Sequence, residues 1–93
     1  MIKSYRSKRI KDYCENGVVG KIDARHIKAI RGIISALGSA VSLDDCDLPG
    51  KRLHPLKQYD PVRWSLDFSA NWRITFEWDG SNVYQVDYEN VHP

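Results

Sequence analysis

Long apolar runs are absent from this sequence, and no stretch approaches the roughly 18 residues that a membrane-spanning helix requires. The basic segment from Met1 to Lys11 lacks the apolar stretch of a signal peptide. Cysteine is scarce, and Cys14 and Cys46 do not have the CxxC spacing of a redox or zinc site. We therefore expect a cytoplasmic protein with reduced structural thiols, no metal, no cofactor and no membrane contact.

Repeats, linkers and segments of low hydrophobicity are also missing. A chain of 93 residues has room for one hydrophobic core, so we expect a single domain over residues 1–93. Apolar residues make up 42% of the chain, which is typical of an ordered globular protein. The net charge is only +2, but bases crowd the N-terminal segment and recur after residue 50. We interpret the N-terminal basic residues as a solvated surface, whereas the later ones lie among predicted strands.

Helical periodicity begins near the N-terminus. Residues 2–5 partly alternate and suit an edge strand, after which Ser4 or Ser7 can cap a first helix. This helix reaches about Asn16, and Gly17 is a typical residue to end it. Its apolar stripe is narrow and consists of Ile10, Tyr13 and Cys14.

A second helix is predicted from Asp23, a natural N-cap, to about Ala40. One apolar face is formed by Ile27, Ile30, Ile34 and Leu37. His26 lies at the basic start of this helix, and we expect it to be exposed and inert. The following segment, 42–50, contains three aspartates and Pro49-Gly50, which indicates a loop with one helical turn.

From Lys51 onward the apolar period changes from near 3.6 residues to 2. Apolar and polar residues alternate over 63–68 and 72–78, and Asp79-Gly80 is typical of a hairpin turn. A last strand follows, with one face assigned to Tyr84, Val86 and Tyr88. We predict an α+β fold in which two N-terminal helices pack on one face of a twisted, mainly antiparallel sheet.

The other face of this sheet is expected to be open. If Trp64 and Trp72 point to the core, Arg63 and Arg73 project from the open face on neighbouring strands. An alternative is that each arginine pairs with Asp67 or Glu77 across the strands. The pattern itself does not distinguish binding arginines from structural ones.

One short segment combines bases with an imidazole. Residues 51–57, KRLHPLK, hold three bases and His54, and Pro55 favours an edge or a bulge where side chains are re-aimed. RNA carries its own nucleophile, the 2′-hydroxyl, so its cleavage requires only a base, an acid and cations for the developing phosphorane charge. His54 and His92 can exchange protons, while Lys57, Arg63 and Arg73 stabilise the charge. The alternative is that His54 is a surface histidine and His92 a disordered terminal residue.

The sequence resembles the HigB, or plasmid-maintenance killer, toxins of the RelE/ParE superfamily. The resemblance covers nearly the whole chain and is carried by RLHPLK at 52–57, RWS at 63–65, NWRITF at 71–76, DYE at 87–89 and His92. It implies a RelE-like fold and metal-independent cleavage of mRNA in the decoding site of the bacterial ribosome. It also implies a HigA-like helix-turn-helix antitoxin as partner, through which alone the toxin would reach operator DNA.

Site residues follow from this resemblance position by position. It assigns catalytic roles to His54, Lys57, Arg73 and His92. RNA contacts are expected from Arg52, Arg63, Asn71 and Asn90. The family often has an acidic residue and a tyrosine just before the terminal histidine, whereas this chain has Asn90 and Val91. Because asparagine cannot take a proton and valine cannot stack on a base, we expect attenuated cleavage.

Two other functions remain open from the sequence. A ParE-like branch shares the fold but inhibits DNA gyrase by binding, and RLHPLK with a terminal histidine argues against it. A toxin-shaped module retained only to bind its antitoxin is kept open by Asn90 and Val91. Signatures of RRM or KH domains are absent, which argues against other RNA-binding folds.

Overall fold

A computed structural model describes residues 1–91, so the expectation for His92 lies outside the described residues. The elements in chain order are α1 (Lys8–Asn16), a 3₁₀ turn (Ala24–His26), α2 (Ile27–Ser39), a 3₁₀ turn (Leu43–Cys46), β1 (His54–Leu56), β2 (Arg63–Asp67), β3 (Trp72–Trp78) and β4 (Val83–Asn90). The four strands form one sheet in the order β1-β2-β3-β4, and each neighbouring pair is antiparallel. The predicted α+β fold is confirmed.

Both helices begin and end close to the predicted residues. Gly17 ends α1 with a left-handed φ of 69° and donates its backbone N–H to the Tyr13 carbonyl. In α2 the buried residues are Ile30, Ile33 and Leu37, whereas Ile27 and Ile34 only pack against the core from its margin. The predicted apolar face was therefore displaced by one position, because Ile33 is the side chain aimed at the sheet.

The core lies between the helices and one face of the sheet. It combines Ile10 of α1 with the buried α2 residues and with strand residues Leu66, Ile74, Phe76, Val83, Val86 and Tyr88. Trp64 and Trp72 pack against this cluster, as their alternation predicted.

Residues 2–5 do not form a full strand, but they lie beside β4. Isolated parallel bridges join Ile2 to Val83 and Tyr5 to Val86. The Lys3 amide donates to the Val83 carbonyl at 2.7 Å. The N-terminal segment thus covers the outer edge of β4.

A β-bulge interrupts the last strand. The register between β3 and β4 shifts between Thr75 and Glu77, and Gln85 on the longer side has a φ of 52°. The extra residue reverses the alternation, so Val83 is buried while Tyr84 is only partly covered. The assignment of Tyr84 to the same face as Val86 and Tyr88 was therefore wrong.

His26 is buried, contrary to the sequence prediction, with 5% of its surface exposed. Its Nδ1 atom lies 2.6 Å from the Tyr88 hydroxyl, and its ring packs against Phe68 and Trp72 with centroids 5.0 and 5.2 Å away. The 3₁₀ turn before α2 points this side chain inward at the sheet. A histidine among basic residues was misjudged because its local neighbours do not reveal this turn.

Candidate active site on the polar face of the sheet

The second face of the sheet carries polar side chains from all four strands. We call it the polar face, and it comprises His54, Arg63, Ser65, Asp67, Arg73, Thr75, Glu77, Asp87 and Glu89. Its centre is one row across the sheet, because His54 pairs with Ser65, Ser65 with Thr75, and Thr75 with Asp87. Residues directly opposite each other share a face. His54 therefore lies on the same surface as the predicted arginines.

The tautomer of His54 follows from its hydrogen bond. Its Nδ1 atom lies 2.7 Å from the Arg52 carbonyl, and a carbonyl only accepts, so Nδ1 carries the proton. In the neutral ring the lone pair is then on Nε2, the arrangement required of a general base. Arg52 presents this carbonyl from a left-handed backbone with a φ of 52°, which is uncommon for a residue with a side chain. Such strain is often found at functional sites.

Arg73 belongs to a chain of polar contacts across three strands. Its Nε and Nη2 atoms donate to the Glu89 Oε1 atom at 3.2 and 3.1 Å. The other carboxylate oxygen of Glu89 accepts from the Thr75 hydroxyl at 2.9 Å, which in turn accepts from Arg63 at 2.8 Å. The Nη1 amino group of Arg73 makes no hydrogen bond within residues 1–91. Arg73 is thus held in place with one amino group left for an anion.

Arg63 is buried, with 2% exposure, so the prediction of an open face is wrong at this residue. Besides Thr75, it donates to the Gln85 carbonyl at 2.8 Å and to Glu77 at 3.4 Å. The ring of Tyr59, from the loop after β1, lies over the guanidinium with its centroid 5.9 Å away. Burial, followed by the nearby Arg6, lowers the pKa of Arg63. Pairing with Glu77 was one of the two alternatives, and for this arginine it is confirmed.

Asp87, at the β4 end of the central row, has a carboxyl group with a raised pKa. Burial and, secondly, the Glu89 carboxylate raise the pKa of Asp87 above its ordinary value. The nearest cation is Arg6, whose Nε atom is 3.9 Å from the carboxylate. The carboxyl group is therefore easier to protonate than a solvated aspartate.

Arg52, predicted to contact RNA, has an exposed side chain that pairs with Asp67 at 3.0 Å. The other carboxylate oxygen of Asp67 accepts from the Ser65 hydroxyl at 2.7 Å. The Arg52–Asp67 pair lies next to His54, because Ser65 is the cross-strand partner of His54. Exposed pairs of this kind are weak, so Arg52 is available to a phosphate.

The remaining predicted residues fall at two ends of the sheet. Lys57 is exposed in the turn directly after β1, on the side of Arg63. Asn71 is exposed at the start of β3, where its carbonyl accepts from the Val91 amide at 2.7 Å. Asn90 pairs with Trp72, so it lies at the same end but on the opposite face from His54.

Four polar-face residues were not singled out from the sequence: Ser65, Thr75, Asp87 and Glu89. Each lies on a strand position that alternates with a buried residue, and Glu89 is the direct partner of Arg73. Strand alternation alone could have placed Thr75 beside Arg73. Glu89 required the β3–β4 register, which the bulge at Gln85 shifts.

Within residues 1–91, no helix is long and apolar enough to cross a membrane. No group of three histidine, cysteine, aspartate or glutamate side chains converges as a metal site would require in that part of the chain. The expected lack of a metal stays a prediction.

Comparison with known proteins assigns the family. The profile of the HigB-like toxins, described as RelE-like toxins of the type II toxin-antitoxin system HigB, matches residues 3–92. Endoribonuclease HigB of Proteus vulgaris is 34% identical over 92 residues, which is 99% of this chain and 100% of that relative. With the α+β fold and the polar face described above, these matches show that the chain belongs to the HigB-like toxins of type II toxin-antitoxin systems.

Proposed function

We propose that this toxin is a ribosome-dependent endoribonuclease that cleaves mRNA without a metal, in the bacterial cytoplasm. The observation that carries the proposal is the fixed tautomer of His54, whose Nε2 lone pair is available on the polar face. The relative from Proteus vulgaris, named an endoribonuclease, supports the same activity. The membership of this chain in a type II toxin family implies an antitoxin partner. We propose that this partner is a HigA-like helix-turn-helix protein, and that the toxin reaches operator DNA only through it.

In the proposed reaction, His54 Nε2 removes the proton from the ribose 2′-hydroxyl, and the freed oxygen attacks the adjacent phosphorus. The bond to the 5′-oxygen of the next nucleotide breaks, and His92 returns a proton to that oxygen. A 2′,3′-cyclic phosphate and a 5′-hydroxyl result, so atoms and charge balance. General acid and base groups each contribute about 10²- to 10⁴-fold to such steps.

Positive charge around the phosphorane is assigned to Arg73 and Lys57. His54 and Arg73 are separated by one strand and by two residues along the strand, so their backbones are about 12 Å apart, a span that a phosphodiester and an extended arginine bridge. Arg52 and Asn71 are proposed to hold the flanking nucleotides, and Asn90 lies beside them at the end of β4. Arg63 acts on this site indirectly, because its contacts hold Thr75 and hence Glu89 and Arg73.

The test is primer-extension mapping of 5′ ends on a reporter mRNA. Purified toxin is added to a translating extract and, separately, to the same RNA without ribosomes. Codon-phased cuts during translation alone are expected for wild type. His54→Ala and Arg73→Ala should lower the cleavage rate by at least about 100-fold. Arg31→Ala, an exposed arginine on α2, is the matched control and should cleave like wild type.

Two outcomes would overturn the proposal. Folded wild-type protein that cleaves in neither reaction points to a gyrase inhibitor or to a module that only binds its antitoxin. Cleavage that persists in His54→Ala and Arg73→Ala moves the active site elsewhere.

The departure at Asn90 and Val91 allows a gain-of-function test. The double variant Asn90→Asp, Val91→Tyr restores the residue types that the family often carries. Because Asn90 lies on the opposite face from His54, the added carboxylate and ring act at the end of the sheet beside Asn71, where they would hold a flanking nucleotide, and we expect cleavage about 10-fold faster. An unchanged rate would show that the wild-type residues do not limit the reaction.

A further inference from the structure

A groove on the helical side of the molecule is not used by the proposed reaction. It lies between α2 and the segment that follows the second 3₁₀ turn, and its volume is about 490 Å³. The lining residues are Arg25, Lys28, Ala29, Gly32, Ile33, Leu48 and Lys51. We call it the α2 groove. Because α2 packs on the core side of the sheet, the groove is separate from the polar face.

The floor of the α2 groove is apolar and open. Ala29 and Leu48 supply aliphatic surface above the buried Ile33, and Gly32 supplies no side chain. A Cβ atom built on Gly32 would meet nothing within 4 Å, so there is empty space directly above the helix backbone at this point. A gap of this kind lets a partner's backbone approach α2 closely.

The rim of the groove is basic. Lys28 and Lys51 form no ion pair within residues 1–91, whereas Arg25 pairs with Asp23 at 2.7 Å. Among the described residues, none that lines the groove is acidic. Complementary charge steers association and selects partners, so the rim favours an acidic ligand.

We infer that the α2 groove binds an acidic amphipathic segment of the antitoxin, with its apolar side chains on the floor and its carboxylates at Lys28 and Lys51. This inference rests on the proposed role of the chain as the toxin of a toxin-antitoxin pair. A nucleic acid is the less suitable occupant, because its phosphates would bind the basic side chains of the rim but would gain little from the apolar floor.

Glycine substitutions provide a matched test of shape. Gly32 and Gly38 both lie in α2, are exposed and have nothing within 4 Å of a built Cβ, but only Gly32 lines the groove. Replacing either with glutamine favours the helix, so both variants should fold. Titration calorimetry with the purified cognate antitoxin should show about 30-fold weaker binding for Gly32→Gln. For Gly38→Gln we expect binding within about 2-fold of wild type.

Charge reversals test the rim. Lys28→Glu should weaken antitoxin binding and reduce its sensitivity to salt, whereas Arg31→Glu, outside the groove on the same helix, should change neither appreciably. Wild-type affinity in both Gly32→Gln and Lys28→Glu would overturn the inference.

Cleavage assays on the same variants separate this inference from the proposed function. Without antitoxin, Gly32→Gln and Lys28→Glu should cut mRNA in the translating extract like wild type. If they bind antitoxin normally but lose cleavage, the groove is a ribosome contact and the inference is wrong. If wild type never cleaves while the variants lose antitoxin binding, the proposed function fails and the groove assignment stands.

Discussion

Replacing Arg63 with alanine tests whether this residue stabilises the fold instead of contacting RNA. The substitution removes a donor from the buried Thr75 hydroxyl, which keeps its own hydrogen bond to Glu89, and from the part-buried Gln85 carbonyl. Losing the partner of a shielded group costs about 1–3 kcal/mol, and removing the buried guanidinium, whose Nε atom has no hydrogen-bond partner within residues 1–91, offsets part of that cost. Glu77 is partly exposed and can be hydrated, so its loss adds little. We expect the free energy of unfolding to fall by about 3 kcal/mol.

Urea unfolding followed by circular dichroism measures this difference, and the melting temperature should fall by about 12–24 °C for a chain of this size. The matched control is Arg52→Ala, which removes an exposed arginine and its pair with Asp67 and should cost less than about 1 kcal/mol. The reasoning would be refuted if the two variants were equally stable. A stable Arg63→Ala that bound ribosomes poorly would instead restore the RNA contact predicted from the sequence.

Two further predictions concern other buried polar groups. Tyr88→Phe leaves His26 Nδ1 without its partner at 2.6 Å, and should lower the free energy of unfolding by about 1–3 kcal/mol in the same urea assay. The raised pKa of Asp87 means that the folded chain binds more protons than the unfolded chain between pH 3.8 and the raised value, so stability is lost as pH rises through that window. Asp87→Asn mimics the protonated acid, so it should be more stable than wild type at pH 7 but not below pH 3.8. If the variant and wild type were equally stable at both pH values, the predicted loss of wild-type stability with rising pH would be wrong.

The order and type of the two helices and of β2, β3 and β4 could be predicted from periodicity, whereas β1 has only three residues and was not predicted, and residues 2–5 form isolated bridges instead of the predicted strand. The change from period 3.6 to period 2 near Lys51 separates the helices from the strands, and Gly17 and Asp79-Gly80 mark chain reversals. It was harder to predict which face of an element each side chain occupies. A single inserted residue at Gln85 reverses which side chains of β4 face the core, and nothing in the local sequence marks it.

The candidate site was predictable by residue type but not by environment. His54 and Arg73 do share one face, as alternation requires. Burial of Arg63 depends on the Tyr59 loop and on the Gln85 carbonyl, which are distant in sequence. Such contacts arise from tertiary packing, and single-strand patterns cannot report them.

The bridges between residues 2–5 and β4 have a consequence for synthesis. Residues 2–5 have their partners at Val83 and Val86, which follow both helices and the first three strands in the chain and are therefore synthesised much later. The buried His26 likewise waits for Tyr88. A nascent toxin therefore cannot complete its sheet until β4 has emerged, and the hydrogen bonds from Arg73 to Glu89 form only then. Folding order thus delays the assembly of the polar face until β4 has been synthesised.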